Sequence, residues 1–195
     1  MSGKTNLAIF DLDGTLFDTR RVNYLSYREA LLPFGVDLDF DYFARECNGK
    51  HYKTFIPVLL RSAGNDDSEI SEMTEKVHEK KKNCYPKFLH ETNPNAHLFS
   101  VIRLIRHEYS IALVTTASRK NCMEILGFHK NAELFDLILT AENVKNKKPD
   151  PEGFLKAMEH FCASAENTMI FEDSAEGLLA AERTGATTFA VRGFA

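Results

Sequence analysis

The stretch TNLAIFDLDGTL, residues 5–16, decides the fold. Its apolar half is followed at once by the acidic segment Asp-Leu-Asp-Gly-Thr, residues 11–15. This pattern predicts a short buried strand that leads into a polar, glycine-containing turn. In open parallel sheets, ligands bind beyond the carboxyl ends of the strands. The acidic turn is therefore the first place in the chain where chemistry is expected.

Four more short apolar segments follow later in the chain, and each is separated from the next by a helical pattern. Serine residues at 118 and 174 and the pair Asp150-Pro151 are suited to begin three of the helices. The alternation predicts an α/β fold: a Rossmann-like parallel five-stranded sheet with helices on both faces. The four further strands are predicted at residues 110–116, 135–140, 168–171 and 187–191.

The chain between the first and second strands has a different character. From about Arg20 to Lys87 the apolar residues recur at helical spacing, as in Tyr24, Tyr27 and Leu31. We therefore predict a helical cap, residues 18–86, inserted into a core formed by residues 1–17 and 87–195. The core is expected to contain no strand beyond the fifth.

Composition excludes several functional classes. The 195 residues include 24 Lys plus Arg and 28 Asp plus Glu, and this balance gives no general attraction to nucleic acid or to an anionic membrane. The chain has no apolar run of the ~18–20 residues that a membrane span needs, and its start does not resemble a signal peptide. The four cysteines are scattered without a CxxC pair, which favours reduced thiols and a cytoplasmic location.

Conspicuous polar residues follow the first four predicted strands. Because the carboxyl ends of parallel strands share one edge of a sheet, these residues are expected to lie together. Lys147 and Lys148 are adjacent in this set. The candidate site residues are Asp11, Asp13, Thr115, Lys148, Glu172 and Asp173.

Four motifs in this order, DLDGTL, the Thr after LV, KKPDP and FEDS, closely resemble the haloacid dehalogenase-like superfamily. The resemblance is to its helical-cap branch, which includes β-phosphoglucomutase and phosphoglycolate phosphatase. It implies that Asp11 is the nucleophile, forming an aspartyl-phosphate, and that Asp13 acts as general acid and then as general base. It also implies that Thr115 and Lys148 bind the phosphoryl group. Lys148 is selected over Lys147 because it directly precedes Pro149, as in the Lys-Pro element of the family.

Charge counting predicts a metal ion at this site. Asp11, Asp13, Glu172 and Asp173 supply four carboxylates against the single ammonium of Lys148. A hard divalent cation with oxygen ligands relieves this repulsion, and Mg²⁺ suits a site that also holds a phosphate. The resemblance implies ligation by the Asp11 carboxylate, the Asp13 backbone carbonyl and the Asp173 carboxylate. Whether Glu172 ligates directly or through water is left open by the sequence.

The predicted function is hydrolysis of a small phosphorylated metabolite. Dehalogenases and phosphonatases of the superfamily lack the second aspartate, so Asp13 favours phosphate monoesters. A cap of this size implies a small substrate. Lys50, His51 and Lys53 in the cap are candidates for contact with the leaving group.

Two other functions remain open. A phosphomutase resembling β-phosphoglucomutase would use the same residues, although the cap segment NGKHYKT departs from the Gly-Val-Ser-Arg-like stretch of that enzyme. A non-catalytic metabolite sensor or interaction protein is the third possibility, and the retained Asp11 and Asp13 argue against it. A monomer or weak homodimer is expected.

Overall fold

The computed structural model describes residues 5–194 and divides the chain into two compact units. The first unit extends through Asp18 and resumes at Asn93, and the second comprises Thr19–Thr92. The return at Asn93 lies beyond the predicted boundary after residue 86, because the chain forms a 3-10 helix, Tyr85–Glu91, before it leaves the second unit.

The first unit contains a parallel sheet of five strands, which confirms the predicted fold class. The strands are β1 (Asn6–Phe10), β4 (Tyr109–Val114), β5 (Leu137–Leu139), β6 (Thr168–Glu172) and β7 (Thr187–Ala190). Their order across the sheet is β5-β4-β1-β6-β7, so β1 is central. Two residue pairs form a separate antiparallel ribbon, β2 (Phe17–Asp18) with β3 (Asn93–Pro94).

Helices of the first unit follow the strands as predicted. They are α5 (Ala96–Ile105), α6 (Arg119–Phe128), α7 (Glu152–Phe161) and α8 (Ala175–Glu182). The Ser118 and Ser174 side chains cap α6 and α8 by accepting hydrogen bonds from backbone N–H groups of the first turn. Helix α7 begins one residue later than predicted: Pro151 occupies the N-cap position, and the Asp150 carboxylate accepts a hydrogen bond from the Glu152 N–H.

The side chains of the central strand alternate between two buried faces. Leu7 and Ile9 pack in one apolar cluster with Phe154 and Met158 of α7 and with alanines of α8. Ala8 and Phe10 project to the opposite face and have no exposed surface either. Burial on both faces is typical of a parallel sheet flanked by helices, and it fixes the direction in which β1 delivers Asp11.

The second unit is helical. Its helices are α1 (Arg20–Leu31), the short α2 (Phe40–Tyr42) that continues into a π turn (Phe43–Cys47), α3 (Tyr52–Ser62) and α4 (Ile70–Cys84). Their apolar stripes form one core that includes Tyr27, Phe43, Ile56 and Val77. Among residues 5–194 we find no helix with the length and apolarity of a membrane span.

Candidate active site

Backbone hydrogen bonds within the acidic loop that follows β1, and from this loop to β6, hold it in place. The Asp11 N–H donates to Phe171 O at 3.0 Å, and the Leu12 carbonyl accepts from the N–H groups of Leu16 and Phe17. Gly14 has a φ of 89°, a conformation that favours glycine, and a Cβ there would overlap the Asp173 carboxylate. The backbone at Gly14 therefore approaches the Asp173 carboxylate more closely than any residue with a side chain could.

Lys148 joins two of the predicted carboxylates. Its Nζ lies 2.5 Å from Asp11 Oδ1 and 2.7 Å from Glu172 Oε2, and it also donates to the Val114 carbonyl at 3.1 Å. Burial works against the charge of Lys148, but Asp11 and Glu172 outweigh it and raise the pKa of the ammonium. Burial also works against the charge of Asp11 and raises the pKa of this carboxyl, while the nearby Lys148 ammonium acts to lower it. Lys148, and not the exposed Lys147, is thus the lysine at this centre.

Glu172 anchors the turn between β6 and α8. Its Oε1 accepts hydrogen bonds from the Ser174 hydroxyl at 2.8 Å, the Ser174 N–H at 3.0 Å and the Asp173 N–H at 3.2 Å, while Oε2 accepts from Lys148. The carboxylate is buried and uses both of its oxygens. This anchoring role was not predicted from the sequence. The signal that could have suggested it is Ser174, two residues later, whose hydroxyl and N–H both donate to Glu172.

Three carboxylates lie close enough together to receive one cation. Asp11, Glu172 and Asp173 each offer an oxygen, and these atoms all lie within 4.8 Å of one another. Burial raises the pKa of Asp173 to about 6; the Thr15 hydrogen bond opposes the rise and nearby Glu172 adds to it. An all-oxygen, negatively charged donor set of this kind fits Mg²⁺.

Thr15 and Thr115 complete the strand-end edge. The Thr15 hydroxyl donates to Asp173 Oδ1 at 2.8 Å, which ties the first motif to the fourth. Thr115 is buried directly after β4, where its hydroxyl oxygen accepts from the Ala117 N–H at 3.0 Å. Thr115 and Lys148 line one pocket of the first unit. The structure therefore brings Asp11, Lys148, Glu172 and Asp173 together, with Asp13 in the same loop and Thr115 beside Lys148.

The candidate residues of the cap belong to the helical unit. Lys50 lies 3.4 Å from the Glu46 carboxylate and Lys53 lies 2.9 Å from the Glu75 carboxylate. Two of the three candidate residues, Lys50 and Lys53, therefore already pair with carboxylates of this unit. His51 occupies the N-cap position of α3, where its Nδ1 accepts a hydrogen bond from the Lys53 N–H.

Comparison with known sequences shows the family to which this chain belongs. Residues 8–191 match the family model of the haloacid dehalogenase-like hydrolases. A relative named phosphorylated carbohydrates phosphatase, from Thermotoga maritima, is 30% identical over 178 residues, which cover 91% of this chain and 80% of that protein. A protein named pyrophosphatase PpaX, from Halalkalibacterium halodurans, is 29% identical over 96% of this chain and 86% of its own length.

Solved structures agree with the sequence matches. A Thermotoga maritima crystal structure provisionally named β-phosphoglucomutase is 27% identical, with a TM-score of 0.77 over 97% of this chain and 87% of that chain. The structure of CbbY from Rhodobacter sphaeroides in complex with phosphate shares the fold at 22% identity, with a TM-score of 0.75 over 97% and 87% of the two chains. The resemblance inferred from the motifs is confirmed, and the chain belongs to the haloacid dehalogenase-like hydrolase family.

Proposed function

We propose that the chain is a Mg²⁺-dependent phosphatase that hydrolyses a small phosphorylated metabolite, such as a sugar phosphate, through an aspartyl-phosphate on Asp11. The observation that carries the proposal is the buried cluster in which Lys148 bridges Asp11 and Glu172 beside Asp173. The family and the name of the phosphorylated carbohydrates phosphatase, a relative 30% identical to this chain, support the same reaction class.

The proposed first step uses two carboxylates. An Asp11 oxygen attacks the phosphorus, the bond to the leaving alcohol oxygen breaks, and Asp13 gives that oxygen a proton. Lys148 keeps a positive charge beside Asp11 and the incoming phosphoryl group, and Thr115 donates its hydroxyl to a phosphoryl oxygen. In the second step Asp13 takes a proton from a water, which attacks the phosphorus, frees Asp11 and releases inorganic phosphate.

The residues fit the predicted metal. Asp11 and Asp173 would hold Mg²⁺ with their carboxylates, together with the Asp13 backbone carbonyl that the family resemblance implies. When bound, the ion would neutralise charge on the phosphoryl oxygens and help to orient the phosphorus for attack by Asp11. Both Glu172 oxygens already accept hydrogen bonds within the protein, which favours an indirect contact with the ion through water.

A phosphomutase is the second candidate because the Thermotoga maritima structure at 27% identity carries the β-phosphoglucomutase name. In that reaction the phosphoryl group on Asp11 returns to another hydroxyl of the bound sugar instead of passing to water. The same residues serve both reactions, so the products must distinguish them.

A kinetic screen tests the proposal. Phosphorylated sugars, phosphoglycolate, pyrophosphate and nucleotides are incubated with the protein and Mg²⁺, and free phosphate and sugar-phosphate isomers are measured with and without a bisphosphate primer. Release of phosphate that needs no primer supports the phosphatase, whereas primer-dependent isomer formation supports the mutase. Asp11→Asn is the matched inactive control. No turnover of any substrate contradicts the proposal and leaves the non-catalytic sensor as the better explanation. Full turnover by Asp11→Asn contradicts the aspartyl-phosphate on Asp11.

The proposal also includes the cap residues, the cellular location and the oligomeric state. Lys50, His51 and Lys53 are proposed to influence the choice of substrate, and the protein is proposed to be cytoplasmic and a monomer or weak homodimer. Size-exclusion chromatography with light scattering tests the oligomeric state.

A further inference from the structure

Gly177 lies closer to a neighbouring carboxylate than a residue with a Cβ could. It lies in the first turn of α8, is buried, and its N–H donates to the Ser174 hydroxyl at 3.0 Å. A Cβ at this position would overlap the Cδ and both carboxylate oxygens of Glu172. The space that a side chain would fill at residue 177 is therefore occupied by the Glu172 carboxylate.

The end of a glutamate side chain normally moves aside at little cost, but Glu172 is held from several directions. It accepts hydrogen bonds from Lys148, from the hydroxyl and N–H of Ser174, and from the Asp173 N–H, and only 1% of its surface is exposed. Displacing this carboxylate removes those bonds inside a buried site, where unpaired polar groups are costly. Lys148 then keeps only Asp11 as a carboxylate partner.

We infer that Gly177 is a positioning residue of the site: its missing side chain gives Glu172 the place from which it holds Lys148 beside Asp11. The effect on catalysis rests on the proposed function, but the effect on the buried ion pair does not. Gly177 has an ordinary helical conformation, so only space is at issue. Gly14, which also lies against a carboxylate, has a positive φ and would be strained by any side chain.

The inference predicts that the effect of Gly177→Ala depends on Glu172. In the wild-type chain, Gly177→Ala should lower the urea midpoint of unfolding and reduce kcat/KM by about tenfold or more. In a Glu172→Ala background the overlap is gone, and adding Gly177→Ala should leave the midpoint unchanged or raise it, since Ala is the better helix former. In that background kcat/KM should change by less than about twofold.

Gly127 provides the matched control. It lies in the last turn of α6, without a positive φ, and a Cβ there meets no atom within 4 Å. Gly127→Ala should leave kcat/KM within about twofold of wild type and keep or raise the midpoint. The two Gly→Ala exchanges are chemically identical, but of the two positions only residue 177 has the Glu172 carboxylate where the added Cβ would lie.

The experiment measures urea midpoints and kcat/KM for wild type, Gly177→Ala, Glu172→Ala, the double variant and Gly127→Ala. An equal loss from Gly177→Ala in both backgrounds, or no loss in the wild-type chain, overturns the inference. If Gly177→Ala does not fold, the urea midpoints of Glu172→Ala and of the double variant still test the inference. A need for glycine that does not involve Glu172 would make the midpoint of the double variant lower than that of Glu172→Ala. If no variant or wild type hydrolyses an ester, the proposed function fails while the midpoints continue to test the positioning role.

Discussion

The two units of the chain place their charges in opposite ways. In the α/β unit, Lys148, Asp11 and Glu172 form ion pairs with side chains that are only 9%, 9% and 1% exposed. In the helical unit, pairs such as Lys53 with Glu75 and Arg61 with Asp67 join side chains that are about half exposed or more. The same types of side chain are therefore used in two very different environments.

Exposed and buried ion pairs contribute differently to the free energy of folding. Exposed pairs contribute about 0–1 kcal/mol each because water screens them. A buried pair loses more in desolvation, and replacing it with apolar residues often leaves stability unchanged or higher. Stability alone does not explain why the α/β unit buries these groups, whereas the proposed phosphoryl-transfer site does.

The largest effect on stability is expected at the centre of the buried cluster. Lys148→Met should destabilise the metal-free protein by about 3–5 kcal/mol, because it leaves the Asp11 and Glu172 carboxylates buried without their counter-charge. Urea unfolding measures the change. Lys76→Met in α4 removes an exposed lysine paired with Glu72 and should change the free energy of unfolding by less than about 1 kcal/mol. Equal losses for the two variants would remove the distinction between the units.

The next effect concerns the metal. Mg²⁺ at about 100 times its dissociation constant should stabilise the folded wild type by about 2.7 kcal/mol, since the unfolded chain lacks the carboxylate cluster. Asp173→Asn should lose most of this gain and most of the activity. Asp67→Asn removes an exposed carboxylate of the helical unit and should retain both. Thermal unfolding with Mg²⁺ and with a chelator checks the prediction, which fails if the Asp173 variant gains as much as wild type.

A smaller effect should follow pH in the helical unit. The His78 ring stacks on the Tyr52 ring, with 3.7 Å between the ring centroids. The Nδ1 atom of His78 is buried without a hydrogen-bond partner among the described residues. Burial, followed by Lys82 and Lys81, lowers the pKa of His78 to about 4, while Glu79 and Glu75 oppose the shift.

The sign of this dependence follows from the lowered pKa. Between pH 6.5 and about 4 the unfolded chain takes up a proton at His78 that the folded chain refuses, so stability falls as the pH falls. Because the side chain is partly exposed, we expect about 1 kcal/mol and not the full shift. His78→Phe keeps an aromatic ring for the stack and should abolish this share of the pH dependence. The same pH profile for wild type and variant would contradict the assignment.

The smallest effects are expected at the cap lysines. Lys50→Ala and Lys53→Ala should each change the free energy of unfolding by less than about 1 kcal/mol, because their partners Glu46 and Glu75 are exposed. The predicted role in substrate choice should appear instead as a change in relative kcat/KM among phosphorylated substrates. Lys76→Ala is the control for loss of a cap lysine. An unchanged substrate profile would dismiss these two residues as specificity determinants.

Much of the α/β unit could be predicted from sequence because its signals are local. The apolar run before Asp11 predicted β1, and Ser118 and Ser174 predicted the starts of two helices, as the structure has them. The choice of Lys148 over Lys147 came from the family resemblance, through the pair Lys148-Pro149. The β2–β3 ribbon escaped prediction because each strand is only two residues long and carries no periodicity.

The contacts that connect distant segments could not be predicted in the same way. The partner of Lys53 is Glu75 on another helix, so the pairing depends on how α3 and α4 pack. The partner of Lys50 is Glu46, four residues earlier, and this pair was visible in the sequence. In the sequence Gly177 looks like any glycine in a helix, because the Glu172 carboxylate fills the space beside it only in the folded chain.

The central claim is that Asp11 carries the phosphoryl group, and the phosphoenzyme itself tests it most directly. In Asp13→Asn the general base of the second step is missing, while p-nitrophenyl phosphate needs no proton donor to lose its phenolate. Rapid mixing of this variant with p-nitrophenyl phosphate and Mg²⁺ should give a burst of one p-nitrophenolate per site. Mass spectrometry of the acid-quenched protein should then find one phosphoryl group on the peptide that contains Asp11. A phosphoryl group on another residue, or a burst that persists in Asp11→Asn/Asp13→Asn, would contradict the account.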